Sequence, residues 1–233
     1  MNMNIIPADK RHFTDMGWLQ TYWLFSFSNY YDPANMGHGK LRVFNDDVVR
    51  SGTGFPTHPH EEMEIVTIVL KGEISHRDSM GNGGVIRAGE VQRMSAGTGL
   101  THSEYNEADG DLHFYQTWIL PDQAGLTPSY EQKKFAETEF TNVLFPLASG
   151  QGKDGAVSFH TDATIYRSQL AAGRQLVHET SPDRKLFVYL TSGTLRANGQ
   201  TLSACDQARM DGVESLELAA DRDADFILID APD

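Results

Sequence analysis

Short apolar runs alternate with turn-forming residues along most of the chain. The clearest run, residues 63–70 (MEIVTIVL), is rich in β-branched side chains, which favour strands over helices. Further strands are predicted at 73–78, 85–87, 91–95 and 112–120, separated by turn-forming residues. Such closely spaced short strands are typical of an all-β barrel or sandwich, and they argue against alternating strands and helices.

The second half of the chain repeats this layout more loosely. Residues 186–200 (LFVYLTSGTLRANGQ) share with residues 65–82 the order of apolar strand, glycine turn, strand and asparagine turn. Residues 121–135 hold two prolines and mixed charge, so we expect a connector there. These patterns predict two similar barrels, an N-terminal domain of residues 1–130 and a C-terminal domain of residues 131–233.

Two stretches near the N-terminus combine strand and turn signals. In residues 23–28 (WLFSFS), aromatic and serine side chains alternate loosely, which predicts a strand that the following Asp-Pro pair ends. Residues 40–50 (KLRVFNDDVVR) are predicted to form two short strands joined by a turn at residues 45–47. The aromatic rings are expected to pack on a core, and the sharper interpretation is that some line a pocket for a flat ligand.

Composition and charge narrow the partners. The chain has 233 residues, of which 39% are apolar, and its 12 Phe and 8 Tyr supply large side chains for a core. The formal net charge of -13 argues against direct binding of nucleic acid or of an anionic membrane surface, because both are recognised through Lys and Arg.

The single cysteine and the N-terminal sequence bear on the compartment. Cys205 alone excludes an intrachain disulfide and a cysteine-based zinc finger. The opening residues MNMNIIPADKRHF lack the apolar core of a signal peptide, and no apolar run approaches the length of about 18 residues that spans a bilayer. We therefore expect a cytoplasmic protein that does not enter membranes.

Candidate chemistry concentrates between residues 58 and 113, where five of the nine histidines fall. His58 and His60 are two positions apart, as are His102 and Glu104. Side chains at i and i+2 of a strand point to the same face, about 7 Å apart. Two such pairs on neighbouring strands would aim three imidazoles and one carboxylate at one point, so we predict a metal site at these four residues.

Other residues near these pairs compete for roles at the site. On a regular strand Glu64 shares parity with His58 and His60, which makes it the nearest alternative to Glu104 as the carboxylate ligand. His76 is predicted either to lie on the polar surface or to hold a metal ligand in orientation. His113 is predicted to make ordinary hydrogen bonds.

The donor set indicates one divalent transition metal per chain. It contains no thiolate, unlike closed structural zinc sites, and four protein ligands around a six-coordinate ion leave two positions for substrate or dioxygen. Three histidines and one glutamate extend the two-histidine, one-carboxylate set of non-haem iron oxygenases by one histidine, which favours Fe(II). Nickel, manganese, copper and zinc also suit these ligands.

The motifs around this site resemble those of cupins, and the wider sequence is similar to the pirin family. The cupin spacing is carried by Gly52, His58, His60 and Glu64, and then by Gly99, His102 and Asn106. The segments HPHEEMEIVTIVLKGEISHRDSMGN and MSAGTGLTHSEYN carry the pirin likeness, and FSFSNYYDP agrees with bacterial members. Departures from the general cupin pattern are the seven residues between Glu64 and Gly72 and the glycine at Gly97 in place of proline.

The resemblance implies a bicupin, that is, two jelly-roll barrels with metal in the N-terminal one only. It implies His58, His60, His102 and Glu104 as the metal ligands, with Glu64 unbound. Bacterial members of this kind resemble quercetin 2,3-dioxygenases, which open the heterocyclic ring of flavonols with dioxygen and release carbon monoxide.

A dioxygenase of this kind would take a small planar aromatic substrate together with dioxygen. The substrate would reach the metal through its 3-hydroxyl group, and Glu104 would be the catalytic residue that accepts the hydroxyl proton. Phe27, Tyr31 and Phe55 are candidates for the substrate-binding wall.

The sequence leaves two other hypotheses open. Eukaryotic relatives resemble nuclear redox-sensing cofactors of transcription regulators, so a non-enzymatic metal-binding module with a protein partner is the main alternative. A purely structural metal, with a closed coordination shell, is the third. A cavity large enough for fused rings beside the metal would favour the enzyme.

Overall fold

The computed structural model describes residues 2–233, and strands carry almost the whole fold. The first twelve strands are β1 (Asn2–Ile6), β2 (His12–Asp15), β3 (Leu19–Trp23), β4 (Leu41–Val49), β5 (Thr53–His60), β6 (Glu64–Lys71), β7 (Glu73–Asp78), β8 (Gly83–Arg87), β9 (Glu90–Ser95), β10 (Leu100–Asn106), β11 (Leu112–Ile119) and β12 (Ser129–Lys134). The remaining eight are β13 (Phe145–Ser149), β14 (Val157–Ser158), β15 (Thr164–Leu170), β16 (Gln175–Glu179), β17 (Arg184–Ala197), β18 (Gln200–Ser203), β19 (Gln207–Asp211) and β20 (Ser215–Pro232).

Helical structure is minor. Within residues 2–233 it is confined to two 3-10 turns, at Ala8–Lys10 and Glu137–Glu139. No helix in this range has the length and apolar composition that crossing a membrane would require. The prediction of an all-β protein is therefore confirmed.

The N-terminal barrel consists of two sheets packed face to face. A seven-stranded sheet has the order β12-β9-β6-β11-β4-β3-β2, and a four-stranded sheet has the order β5-β10-β7-β8. Their inner faces meet in an apolar cluster, to which Val69 and Phe114 contribute from the large sheet and Ile74 and Ile86 from the small one. The predicted metal ligands lie on β5 and β10, which are neighbours in the small sheet.

The C-terminal barrel is built from one nine-stranded sheet that bends over itself. Its long strands β17 and β20 pair along most of their length, with register shifts between Leu190 and Leu195. Gly193 lies in this bend at φ +91°, and a Cβ there would lie 1.9 Å from the carbonyl oxygen of Asp223. Only glycine fits such a close approach, so this residue permits the bulge that turns the strand around a second apolar core.

The two barrels share a third apolar core, and β4 shows how. Phe44 on β4 points toward the second barrel, where its ring centroid lies 5.1 Å from those of Phe187 and Tyr189. The Tyr189 hydroxyl donates a hydrogen bond of 2.6 Å to Oδ2 of Asp46, the next β4 residue on the same face. The odd-numbered β4 residues therefore face the interior of the first barrel.

Three sequence predictions need correction at this level. Residues 41–49 form one unbroken strand, because residues 45–47 are buried and pair with β3 and β11 instead of turning. The predicted connector 121–135 contains β12, which pairs with β9. The alternation in 23–28 does not continue as a strand, because β3 ends at Trp23.

Each barrel takes one strand from across the predicted domain boundary at residue 130. That position falls within β12, which belongs to the sheet of the first barrel. In the opposite direction, β1 pairs with β19 and so extends the sheet of the second barrel. The division at residue 130 stays a prediction, with one strand from each side crossing it.

Candidate metal centre

Neighbouring strands bring three of the predicted ligands together. His102 on β10 lies directly opposite His58 on β5 in the antiparallel register, and His60 follows two residues later on the same face. The ring centroids of His58 and His102 are 4.4 Å apart, and that of His60 lies 4.8 Å from the first and 4.9 Å from the second. One ring nitrogen from each histidine falls within 4.8 Å of the others.

A bulge next to His102 sets the position of Glu104. The register passes from His102 opposite His58 to Glu104 opposite Phe55, so β5 holds one more residue than β10 in this interval. The extra residue lies beside Pro56. Proline has no backbone N–H to donate to the neighbouring strand, so it is well tolerated in a bulge. Glu104 lies next to His102 on the side of the cluster where His76 is found. One ligand atom from each of these three side chains lies within 4.8 Å of the other two.

His58 is already oriented as a metal ligand would be. Its Nδ1 lies 2.8 Å from the carbonyl oxygen of Pro56. A carbonyl can only accept, so Nδ1 carries the proton and Nε2 is left with a free lone pair. Hydrogen bonds of this kind from the outer ring nitrogen fix the tautomer and orientation of metal-binding histidines.

Unsatisfied polar atoms test whether the site suits a cation. Among residues 2–233, neither ring nitrogen of His102 has a hydrogen-bond partner, and Oε1 of Glu104 also has none. Both side chains are buried. A buried acceptor without a partner costs about 1–3 kcal/mol, and a bound cation would remove that cost. The donor set of imidazoles and a carboxylate therefore suits a single divalent metal.

Burial also sets the protonation of the ligands. Desolvation, reinforced by the neighbouring histidines, lowers the pKa of His102 to about 2 and that of His60 to about 4. Both rings are therefore neutral near pH 7, which is the form that binds metal. Burial raises the pKa of Glu104 to about 7, although the Gln116 side-chain amide donates to its Oε2 at 3.2 Å.

His76 is a buried neighbour of the cluster with partners of its own. Its Nδ1 lies 3.1 Å from Nε2 of Gln92, and its Nε2 lies 3.3 Å from Oδ2 of Asp78. Its ring stacks on Tyr130 at 5.1 Å. Both ring nitrogens are engaged in this way, so His76 supports the small sheet behind His102, although one of its nitrogens also lies within 4.8 Å of ligand atoms of His102 and Glu104.

Glu64 lies away from the histidine cluster in spite of its parity. The chain turns between His60 and Glu64, with Glu62 in the left-handed region at φ +47°, and passes from the small sheet to the large one. The buried Glu64 carboxylate accepts a hydrogen bond of 2.6 Å from Ser95 and lies 3.3 Å from Nδ1 of His160. The structure thus separates the two candidate carboxylates.

An aromatic cavity opens onto the metal site. It has a volume of about 330 Å³ and is bordered by His58, His60 and Glu104. Its other lining residues are mostly large and apolar, and they include Met16, Trp18, Leu19, Trp23, Phe27, Phe55, Pro56 and Trp118. The volume lies within the range of about 300–1,000 Å³ typical of small-molecule sites.

Two of the three predicted wall residues line the cavity, and the third does not. Phe27 and Phe55 line the cavity. Tyr31 does not, and it is 73% exposed. A tight turn explains the difference: Phe27 pairs with Tyr30 in an isolated bridge, with Ser28 at φ +51°, so the chain reverses after Phe27. The prediction that Tyr31 forms part of the wall is therefore wrong.

Several cavity residues were not among the three wall candidates named from the sequence. Trp18, Trp23 and Trp118 are the only three tryptophans of the chain, and all of them line the cavity. Trp23 lies in the aromatic stretch 23–28, some of whose rings were expected to line a pocket, and for Trp118 the rarity of tryptophan was the available signal. Asn45 and Asp47 also line it, and the expectation of a turn at these positions concealed them.

Known protein families match both barrels of the chain. The profile of the family described as Pirin matches residues 7–119, and that described as the quercetinase C-terminal cupin domain matches residues 146–231. These matches confirm two cupin domains in one chain.

Individual relatives match almost the full length. The chain is 42% identical to the quercetin 2,3-dioxygenase of Escherichia coli strain K12, over 97% of this chain and 96% of the relative. It is 40% identical to a pirin-like protein of Caulobacter vibrioides, over 97% of each. The bacterial pirin YhhW of Escherichia coli, solved in complex with nickel(II), superposes with a TM-score of 0.94 at 40% identity, covering 99% of each chain. With a family profile over its first barrel and such relatives over nearly its whole length, the chain belongs to the pirin family.

Proposed function

We propose that the protein is a metal-dependent dioxygenase that opens the heterocyclic ring of flavonols such as quercetin and releases carbon monoxide. One flavonol and one dioxygen would give one ring-opened ester and one carbon monoxide. The single observation that carries this proposal is the aromatic cavity that ends at His58, His60 and Glu104. A regulatory module or a closed structural site has no need of such a cavity.

The cavity walls would orient a planar substrate. Trp118 packs edge-on against both His60 and Phe27, at centroid distances of 4.9 Å and 5.2 Å. Trp18 and Phe55 pack edge-to-face at 5.0 Å. Rings held by such contacts are rigid, so they can hold a flat substrate with its reactive edge toward the metal ligands at low cost in entropy.

Glu104 is the proposed proton acceptor. It borders the cavity, it is buried, and its carboxyl group has a pKa raised to about 7 by that burial. Gln116 donates to Oε2 of Glu104 and is itself fixed by Thr67, whose hydroxyl donates at 2.8 Å, so Oε1 is the oxygen that would hold the metal or, once displaced from it, accept the substrate proton.

His58, His60, His102 and Glu104 would hold the metal, with Fe(II) favoured and nickel, manganese, copper or zinc as alternatives. A metal at this position supplies Lewis acidity toward the substrate enolate and a template that brings substrate and dioxygen together. The relatives named quercetin 2,3-dioxygenase and the nickel complex of YhhW support both the reaction class and a divalent ion.

Aerobic turnover with carbon monoxide detection tests the proposal. Protein is stripped of metal and reconstituted separately with Fe(II), Ni(II), Mn(II), Cu(II) or Zn(II), then mixed with quercetin. We expect carbon monoxide in equal amount to the flavonol consumed with at least one metal. His58→Ala and Glu104→Ala should lose bound metal and turnover together.

Glu107→Ala is the matched control, because Glu107 is exposed and lies just beyond β10. It should keep metal content and turnover at the wild-type level. Full turnover by a metal-free Glu104→Ala protein would overturn the assignment, and so would the absence of carbon monoxide with every metal.

A further inference from the structure

One strand of the cavity wall carries polar side chains that the metal site does not use. Asn45 and Asp47 are two residues apart on β4, so both point into the first barrel, and both line the cavity. Each is 3% exposed. Oδ1 of Asn45 and Oδ1 of Asp47 have no hydrogen-bond partner within 3.5 Å among residues 2–233. The hydroxyl of Thr21, opposite Asp47 on β3, lies near its carboxylate and lowers the pKa of Asp47, but it leaves Oδ1 available to a ligand.

Gln116 shows that the barrel can satisfy a polar side chain here when it needs to. This residue lies opposite Asn45 in the strand register and also lines the cavity. Its amide donates to Glu104 and its oxygen accepts from Thr67, at 3.2 Å and 2.8 Å. The unpartnered oxygens of Asn45 and Asp47 border the cavity beside this satisfied amide, and buried polar atoms without a partner call for a ligand or another explanation.

We propose that Asp47 and Asn45 form a specificity-determining pair that accepts hydrogen bonds from a hydroxyl group of the substrate other than the one at the metal. This inference rests on the proposed function. Two acceptor oxygens in an aromatic cavity favour a planar ring that carries hydrogen-bond donors. The pair therefore selects polyhydroxylated aromatic substrates over aromatic compounds that bear only the metal-binding hydroxyl.

Electrostatics adds an exclusion to this preference. Asp47 and Glu104 border the same cavity, and a bound metal would be its cationic centre, because the His60 and His102 rings are neutral. A substrate with a carboxylate near Asp47 would place two negative groups together in a poorly solvated space. Neutral phenolic hydroxyl groups avoid that cost, so the ligand class is a neutral polyphenol.

Two flavonols that differ in their remote hydroxyl groups test the pair. Quercetin carries several of them, and 3-hydroxyflavone carries only the hydroxyl that meets the metal. A hydrogen bond to a charged group contributes about 1.5–3 kcal/mol, so at pH 8, above the pKa of about 7 that burial gives Asp47, Asp47→Ala should lower kcat/KM for quercetin by about 10- to 100-fold. The value for 3-hydroxyflavone should change by less than about threefold, because it has no donor for Asp47.

The comparison within one variant removes effects on folding, since the same protein preparation meets both substrates. Asp109→Ala is the matched control, because Asp109 is exposed on the loop after β10, and it should leave both values unchanged. An equal loss for the two flavonols, or no loss for quercetin, would overturn the inference. Metal content measured on each variant ensures equal loading.

Binding without turnover separates this inference from the proposed reaction. All three tryptophans line the cavity, so quenching of the intrinsic fluorescence reports ligands at this site. Under anaerobic conditions, metal-loaded wild-type protein should bind quercetin more tightly than 3-hydroxyflavone, and Asp47→Ala should lose that preference. If this result is found without any carbon monoxide in air, the reaction fails and the binding pair stands. Equal binding of both flavonols by the wild type, or binding of neither, overturns the pair whatever the turnover.

Discussion

Replacing Asp47 by asparagine should stabilise the protein, and the gain should grow with pH. Asp47 is buried in the cavity wall, and burial raises its pKa from the ordinary value of 3.8 to about 7. The nearby carboxyl groups of Asp46 and Glu104 act in the same direction. A carboxyl group in such a place resists ionisation, whereas asparagine has the same shape and no charge to bury.

The pH dependence of this stability gain follows from the difference in proton binding by Asp47 between the folded and the unfolded protein. The folded protein holds the Asp47 proton more tightly than the unfolded chain does, so this residue's favourable contribution is fully present below about pH 4. It is lost as the pH rises through 7. A shift of about three pKa units corresponds to about 4 kcal/mol, of which about 3 kcal/mol falls between pH 5 and pH 8. The Asp47→Asn protein lacks this loss.

Urea denaturation of metal-free protein at pH 5, 6, 7 and 8 measures the effect. The free energy of unfolding of Asp47→Asn, relative to wild type, should rise by about 3 kcal/mol across this range. Titrating groups far from Asp47 are common to both proteins and cancel in the difference, and removal of the Asp47 charge eases ionisation of Glu104, which acts in the same direction. Asp109→Asn, at an exposed position, should follow the wild type at every pH. A difference that is constant with pH, or one that falls as pH rises, would refute the reasoning.

A stabilising change at Asp47 would also explain why the residue needs a role. Groups that cost stability persist where function requires them, and relieving the cost tends to reduce activity. If the substrate pair is correctly assigned, the Asp47→Asn variant that gains stability at pH 8 should discriminate less between quercetin and 3-hydroxyflavone than the wild type, because its amide oxygen is an uncharged and weaker acceptor.

Two further substitutions examine the carboxylate assignment and the contact between the barrels. Glu64→Gln should keep one metal per chain by elemental analysis, because Glu64 is bound to Ser95 and lies beside His160 outside the cluster; loss of metal would instead make it a ligand. Tyr189→Phe should lower the free energy of unfolding in urea by about 1–3 kcal/mol, because the buried Asp46 loses a donor at 2.6 Å; an unchanged value would mean that this hydrogen bond contributes nothing across the interface.

Local sequence determined how the candidate metal ligands are arranged along their strands, because strand geometry is local. Alternation of side chains with a period of two makes His58 and His60 share a face, and the same holds for His102 and Glu104. The β-branched runs and turn residues identified the strands that carry them, and clustering of histidines identified the half of the chain. Only the pairing of β5 with β10 then had to be supplied, and short strands in a barrel bring such neighbours together often.

Two predictions assumed that the chain continues in one direction over several residues, and both failed because the chain turns. Parity linked Glu64 to His58, but the turn after His60 moved it to another sheet. Tyr31 was expected beside Phe27 in the cavity wall, but a tight turn reverses the chain between them. A single residue in left-handed conformation is enough to cancel the alternation that such an argument needs.

The polar residues of β4 show the limit of sequence patterns most clearly. Three consecutive polar residues predict a turn, because exposed backbone and polar side chains usually occur together. Here Asp46 is satisfied by Tyr189 from the second barrel, and Asn45 and Asp47 face a cavity formed by distant strands. The sequence alone determined which residues alternate along each strand. The packing of the two barrels and the space left inside the first one decided which of those residues meet a ligand, because burial depends on contacts between residues far apart in the chain.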